Sequence, residues 1–242
     1  MIGRYKQIGG DGRYDDTYHS LCKAMNRRIV ESPIYNLPTY PGEDIYIPDM
    51  LVAIVALSDY AHLYKGRYQS TVDVWIEKAQ SEWIDSDTGL LASFLEENDG
   101  QSEIVLPVKG SYAALNCYYL SLVNRELAKK QYECLKKNFR QDFLVTGIRE
   151  YHDKSCWLGM DIDAGPIIFN LSPSGTGFAI GAATSLEDAV FRKQLLKTAE
   201  IAGTTVSWLG TSHYMLANLA LVGEAIVLAM RTSAPQAQMI GR

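Results

Sequence analysis

Residues 48–57 read PDMLVAIVAL, and this stretch decides the fold. A proline suits the first turn of a helix. The apolar run behind it, Met50 to Leu57, leaves little room for a wet face, so the helix it forms over about 48–65 is buried on most sides. Lys65-Gly66-Arg67 then turns the chain tightly. Over 69–83, Val72, Trp75, Ile76 and Ala79 recur three and four residues apart, which makes an amphipathic helix with one wet face. A buried helix followed closely by an amphipathic one is a helical hairpin.

The same pairing repeats outward from this stretch. Toward the C-terminus, 110–124 is apolar and aromatic, and 126–141 is charged with Leu127, Tyr132, Leu135 and Phe139 on one face. After it, 175–185 is small and apolar, 187–202 is amphipathic and 213–231 is strongly apolar. Toward the N-terminus, 13–31 carries Tyr14, Tyr18, Leu21, Met25 and Ile29 on one face, and Met1 to Ile8 reads as the end of a buried helix. Links from buried to amphipathic helix are tight, as at Asn124-Arg125. Links back are mostly long, about 15 to 35 residues, a length that marks functional loops when it recurs. Two of them carry short strand signals, Leu90 to Leu95 and Leu144 to Tyr151.

Inner helices packed on both sides, outer helices wet on one face, and long loops gathered at one end describe an all-α (α/α) toroid with short β-hairpins in its long loops. A plain α-solenoid is the alternative, but its period would be fixed and its loops short. The reading is of one toroid domain over 1–231, incomplete at about four and a half of six hairpins, with a loose tail over 232–242.

The composition is that of an ordinary globular protein. The chain has 242 residues, 47% hydrophobic and 21% charged, with a net charge of −5. That length suits one large domain. The acidic balance and the lack of a Lys/Arg run argue against a nucleic-acid partner. The longest apolar stretch, Leu216 to Met230, is broken by Asn218, Gly223 and Glu224 and is too short for a bilayer. No signal peptide is visible, and the compartment is left unassigned. Cys22, Cys117, Cys134 and Cys156 form no CxxC pair, and the reading for them is small buried hydrophobes. Cys156, beside Trp157 in a loop, is the one to test for reactivity. Cofactor fingerprints are absent, as is the elbow motif of serine hydrolases.

Three clusters carry candidate chemistry. Glu43, Asp44, Tyr46 and Asp49 precede or open the helix at 48. Asp49 either caps the free N–H groups there or serves as a general acid or base with its pKa raised by desolvation. Asp161 and Asp163 point to one side if extended, and the run Ser172 to Phe178 (SPSGTGF) lets backbone approach a ligand closely. Ser174 is read either as the cap of the next helix or as a substrate contact, with Phe178 beside it. Calcium is not expected, because the further oxygen ligands of an EF-hand are missing. His213, before the last apolar helix, is a candidate proton shuttle. Trp157 and Trp208 sit in long loops where a ring can stack on a substrate. Lys109 and Tyr112 stand at another inner-helix start and are placed to orient an oxygen-bearing substrate.

The ordered set of segments resembles the linalool dehydratase/isomerase family. The matching stretches are Met1-Ile2-Gly3-Arg4-Tyr5, Gly12-Arg13-Tyr14, Tyr40-Pro41-Gly42-Glu43-Asp44-Ile45-Tyr46, Trp83 to Gly89 (WIDSDTG) and Gly110-Ser111-Tyr112-Ala113-Ala114. The resemblance implies an (α/α)6 toroid and a cofactor-independent lyase or isomerase acting on a small, partly apolar substrate. It implies that Tyr112 stands where the family has a substrate-facing tyrosine. That family's cysteine pair falls on Tyr40 and Asp49 here, and its upstream aspartate and histidine lie before Met1. It also implies that a partial ring would associate with itself or with a partner chain that completes it. Two other functions stay open beside this one. One is a carbohydrate hydrolase or lyase pairing Asp49 with Asp161 or Asp163, and the other is a non-catalytic toroid subunit. The enzyme reading expects Asp49, Asp161 and Tyr112 in one cavity.

Overall fold

The computed structural model describes residues 1–203, 205–214 and 221–233. They form two compact units, Met1–Asp87 with Leu91–Pro107, and Thr88–Leu90 with the described residues from Val108 onward. Both are built from helical hairpins joined by small antiparallel β-hairpins.

In the first unit the helices are α1 (Ile2–Gln7), α2 (Asp15–Glu31), α3 (Ile47–Leu63) and α4 (Gln69–Ser81). Helix α3 is the apolar run at 48–57, and it packs against α1, α2 and α4. Ile47, Leu51, Ile54 and Leu57 are fully buried, while Val52 is exposed. From α4, Val72, Trp75, Ile76 and Ala79 turn inward as their spacing requires. The Trp75 indole donates to Asn36 at 2.9 Å, so its buried N–H has a partner. A three-stranded antiparallel sheet of β1 (Ile45–Tyr46), β2 (Phe94–Asn98) and β3 (Gln101–Ile104) pairs Ile45 with Leu95 and Leu95 with Ile104.

In the second unit the elements are α5 (Gly110–Leu120), α6 (Arg125–Phe139), β4 (Arg140–Asp142), β5 (Thr146–Ile148), β6 (Leu158–Asp161), β7 (Gly165–Ile168), α7 (Pro173–Ser185), α8 (Ala189–Ala202), β8 (Thr205–Trp208), β9 (Thr211–Tyr214) and α9 (Leu221–Thr232). Helix α7 packs between α5 and α9; α6 lies on α5 and α8 on α7. The small residues of α7 are what allow this. A Cβ at Gly175 would press on the Ser111 backbone, and one at Gly181 would strike Met230. Side-chain oxygens of Asn124, Ser172 and Asp188 accept from the third backbone N–H beyond them, at Leu127, Gly175 and Phe191, and so start α6, α7 and α8.

Several expectations change. The cap of α7 is Ser172, not Ser174. Asp49 caps nothing: α3 begins after Tyr46 without a side-chain cap, and Asp49 lies within its first turn. The helix expected over 213–231 is described as α9 over Leu221–Thr232, and residues 215–220 lie outside the described residues. His213 and Tyr214 belong instead to strand β9, paired with β8. Of the 232–242 tail, residues 234–242 lie outside the described residues. No helix among those described is long and apolar enough to cross a membrane.

Candidate functional site

The second unit gathers polar side chains where α5 and α7 begin. Lys109 precedes α5 in extended backbone. Its ammonium donates to both oxygens of Asp161, at 3.0 and 3.2 Å, and to Asp163 at 2.7 Å. The two aspartates reach it because the chain turns tightly between β6 and β7. Asp161 pairs with Gly165 across that turn, and Gly165 has φ +78, a left-handed conformation that suits glycine. The backbone N–H groups of Asp163 and Ala164 close the turn onto Asp161, each at 2.9 Å. The Tyr151 hydroxyl adds a bond to its other oxygen at 2.8 Å. The sharing of one side by Asp161 and Asp163 is therefore observed, though through this turn and not through a continuous strand. Their common cation is an ammonium. Lys109 also lies 5.9 Å from the centre of the Tyr112 ring.

Beneath this lies a buried layer. Glu150 is fully buried and accepts from the Ser111 hydroxyl at 2.9 Å and from the Ser111 backbone N–H at 3.3 Å. Ser172 and Ser174 lie 3.1 Å apart through their hydroxyls, and Ser174 donates to the Ala164 carbonyl at 3.1 Å. The layer ties the first turn of α5, the start of α7 and the β6–β7 turn together.

The electrostatics separate the members. Burial pushes the Asp161 carboxyl up, but the Ala164 N–H, Lys109, Tyr151 and the Asp163 N–H outweigh it and hold the group at about 2. Burial pulls Lys109 down, and its bonds to Asp163 and Asp161 more than offset that, so it stays protonated above its ordinary range. Burial and the hydrogen bond to Asp161 push Tyr151 up to about 12. Glu150 is raised by desolvation, against the hydrogen bonds of Ser172 and Ser111. Asp161 is thus a hub that is ionised near neutrality. Asp163 is the more accessible carboxylate, its side chain 23% exposed against 7% for Asp161.

Tyr40, Glu43, Asp44, Tyr46 and Asp49 belong to the first unit. There Asp49 is exposed and accepts from the Thr39 hydroxyl at 2.6 Å. Tyr46 packs edge-on against Phe94, with ring centres 5.0 Å apart, and Tyr40 is exposed. Phe178 packs on the core of the second unit. Trp157 is half exposed and sits between Phe143 and Phe169, at 5.8 and 5.1 Å. His213 and Trp208 lie in β9 and β8, and their side chains fall outside the described residues.

Sequence reasoning gave no role to Glu150 or Tyr151, and it read Ser111 and Ser172 only as parts of the stretches 110–114 and 172–178. Glu150 follows Arg149, and both residues are buried. Arg149 turns the other way and donates to the Asn138 and Arg140 carbonyls at the end of α6. Among the described residues, no group of three His, Cys, Asp or Glu side chains is arranged to hold a metal. The chain matches no family model and no curated protein sequence.

Proposed function

We propose that the chain is a cofactor-independent acid–base enzyme of lyase or isomerase type, built as part of an (α/α) toroid. The single observation that carries this is the Lys109 ammonium held between Asp161 and Asp163 where two buried helices begin. The resemblance to linalool dehydratase/isomerase supports the same class, with Tyr112 as the matched tyrosine. Asp161 is a positioning residue: its pKa of about 2 keeps it from exchanging protons near neutrality. Lys109 holds a substrate oxygen and steadies the negative charge that develops on it. Asp163 accepts a proton from the carbon next to the breaking C–O bond. Asp163 then delivers that proton to the hydroxyl, which departs as water, so Asp163 returns to its carboxylate and Lys109 stays protonated throughout.

The test is direct. The purified chain is incubated with acyclic allylic alcohols, linalool and geraniol among them, and with an oligosaccharide panel, and products are identified by mass spectrometry. Loss of water or hydroxyl migration in the alcohols is the expected result. Glycosidic cleavage would move the chain to the carbohydrate class, and the absence of any turnover would remove the acid–base role.

A further inference from the structure

A cavity of about 440 Å³ opens in the second unit, and its described lining includes none of Lys109, Tyr151, Asp161 and Asp163. Its wall draws on five elements: Leu144 beyond β4, Ile168 and Phe169 at the end of β7, Ile180 in α7, Ala199 in α8 and Val227 in α9. The sequence makes the space. Helix α7 has glycine at 177, where a Cβ would press on Ile226 of α9, so the two helices approach closely and leave no large side chain between them. Phe169 and Asn170 both take left-handed backbone, φ 55 and 63, and turn the chain sharply at the cavity edge.

The polar groups in the wall are already used. The Thr176 hydroxyl accepts from the Ile148 N–H at 3.1 Å, and the Thr198 hydroxyl donates to the Thr146 carbonyl at 2.6 Å. Among the described residues Glu224 is the one ionisable side chain in the wall, and it too has a partner within the protein. A charged ligand would therefore lose its hydration with nothing to replace it, and an anion would also meet the Glu224 carboxylate. The volume lies within the range of small-molecule sites, roughly 300–1,000 Å³.

The geometry points to a binding site for an uncharged, largely hydrocarbon small molecule, about the size of a medium-chain alcohol. This site is separate from the polar cluster, and its existence does not depend on the reaction proposed there. If the cluster proves inactive the cavity claim stands, and the reverse also holds.

The experiment is a fluorescence titration of the folded chain with N-phenyl-1-naphthylamine, a neutral apolar probe, followed by displacement with 1-decanol and with decanoate. The expected result is saturable binding of one probe per chain, with decanol displacing it at least about tenfold more effectively than decanoate. Ala199→Trp, which fills the cavity, weakens probe binding at least about tenfold. Ile201→Glu does the same by adding a carboxylate at the rim. Ile201 is 58% exposed, so this variant keeps the fold if the tryptophan does not fit. No saturable binding, equal displacement by decanoate, or wild-type binding by Ile201→Glu would overturn the proposal.

Discussion

Two acidic loops lead into two buried helices, and they end differently. The chain at 40–49 runs into the first turn of α3 with Glu43, Asp44 and Asp49, while Lys109 at the start of α5 reaches two aspartates of the β6–β7 turn that precedes α7. Asp49 remains exposed, with Thr39 as a neutral partner. Asp161 is buried under an ammonium, a tyrosine and two backbone N–H groups. The difference lies in the cation. Burying a carboxylate is costly without a paired charge and hydrogen bonds, so only the loop with a lysine across from it draws its aspartate inward. An Asp-rich loop is a candidate site only once its counter-charge is located.

That contrast breaks most sharply at Lys109. Lys109→Met leaves Asp161 buried without its ammonium, and stability should fall by about 3 kcal/mol, as when one partner of a buried pair is removed. Asp49→Ala removes an exposed group, and its cost should stay within about 0.5 kcal/mol. Denaturant titration measures both. Equal losses would erase the distinction between the loops.

Glu150 sharpens the comparison from below. Glu150→Ala strands the buried Ser111 N–H and hydroxyl, at a cost of about 1–3 kcal/mol. Glu150→Gln keeps an acceptor and should recover most of that. Its pH behaviour has a definite sign. The folded pKa is raised, so the carboxyl's contribution is full below its unfolded value near 4.5 and is lost as pH rises through the folded value. Glu150→Gln should flatten that slope in stability measured upward from pH 4.

A further contrast is acid sensitivity. Asp161 has its folded pKa lowered from 3.8 to about 2, so its contribution is present above about pH 4 and lost as pH falls toward 2. Asp161→Asn should remove that part of the acid transition, while Asp49→Asn should leave it in place. Thermal melts at pH 2, 3 and 4 separate the two.

The sequence announced the helices better than the site. The all-apolar run at 48–57 and the three-and-four spacing of Val72, Trp75 and Ile76 left few alternatives, and α3 and α4 fall within two residues of the expected limits. The hairpins were harder. In β6 the alternation is inverted: Leu158 and Met160 are exposed while Asp161 is buried, so hydrophobic patterning points the wrong way. At 205–214 the sequence looked like a loop running into a helix, and the β8–β9 pairing carries no strong alternation. Lys109, Tyr112, Asp161 and Asp163 could be picked out by residue type and position. Glu150 could not, because its partner Ser111 lies 39 residues away and nothing local marks its burial.

The central claim is that the Lys109 cluster moves protons and is not merely a pin between helices. The most direct test is to measure turnover of an allylic alcohol by wild type and by Asp163→Asn, with thermal unfolding of both in the same buffer. The account expects turnover to fall about 100-fold or more while the melting temperature moves by only a few degrees. Wild-type turnover in Asp163→Asn, or a loss of turnover matched by loss of the fold, would contradict it.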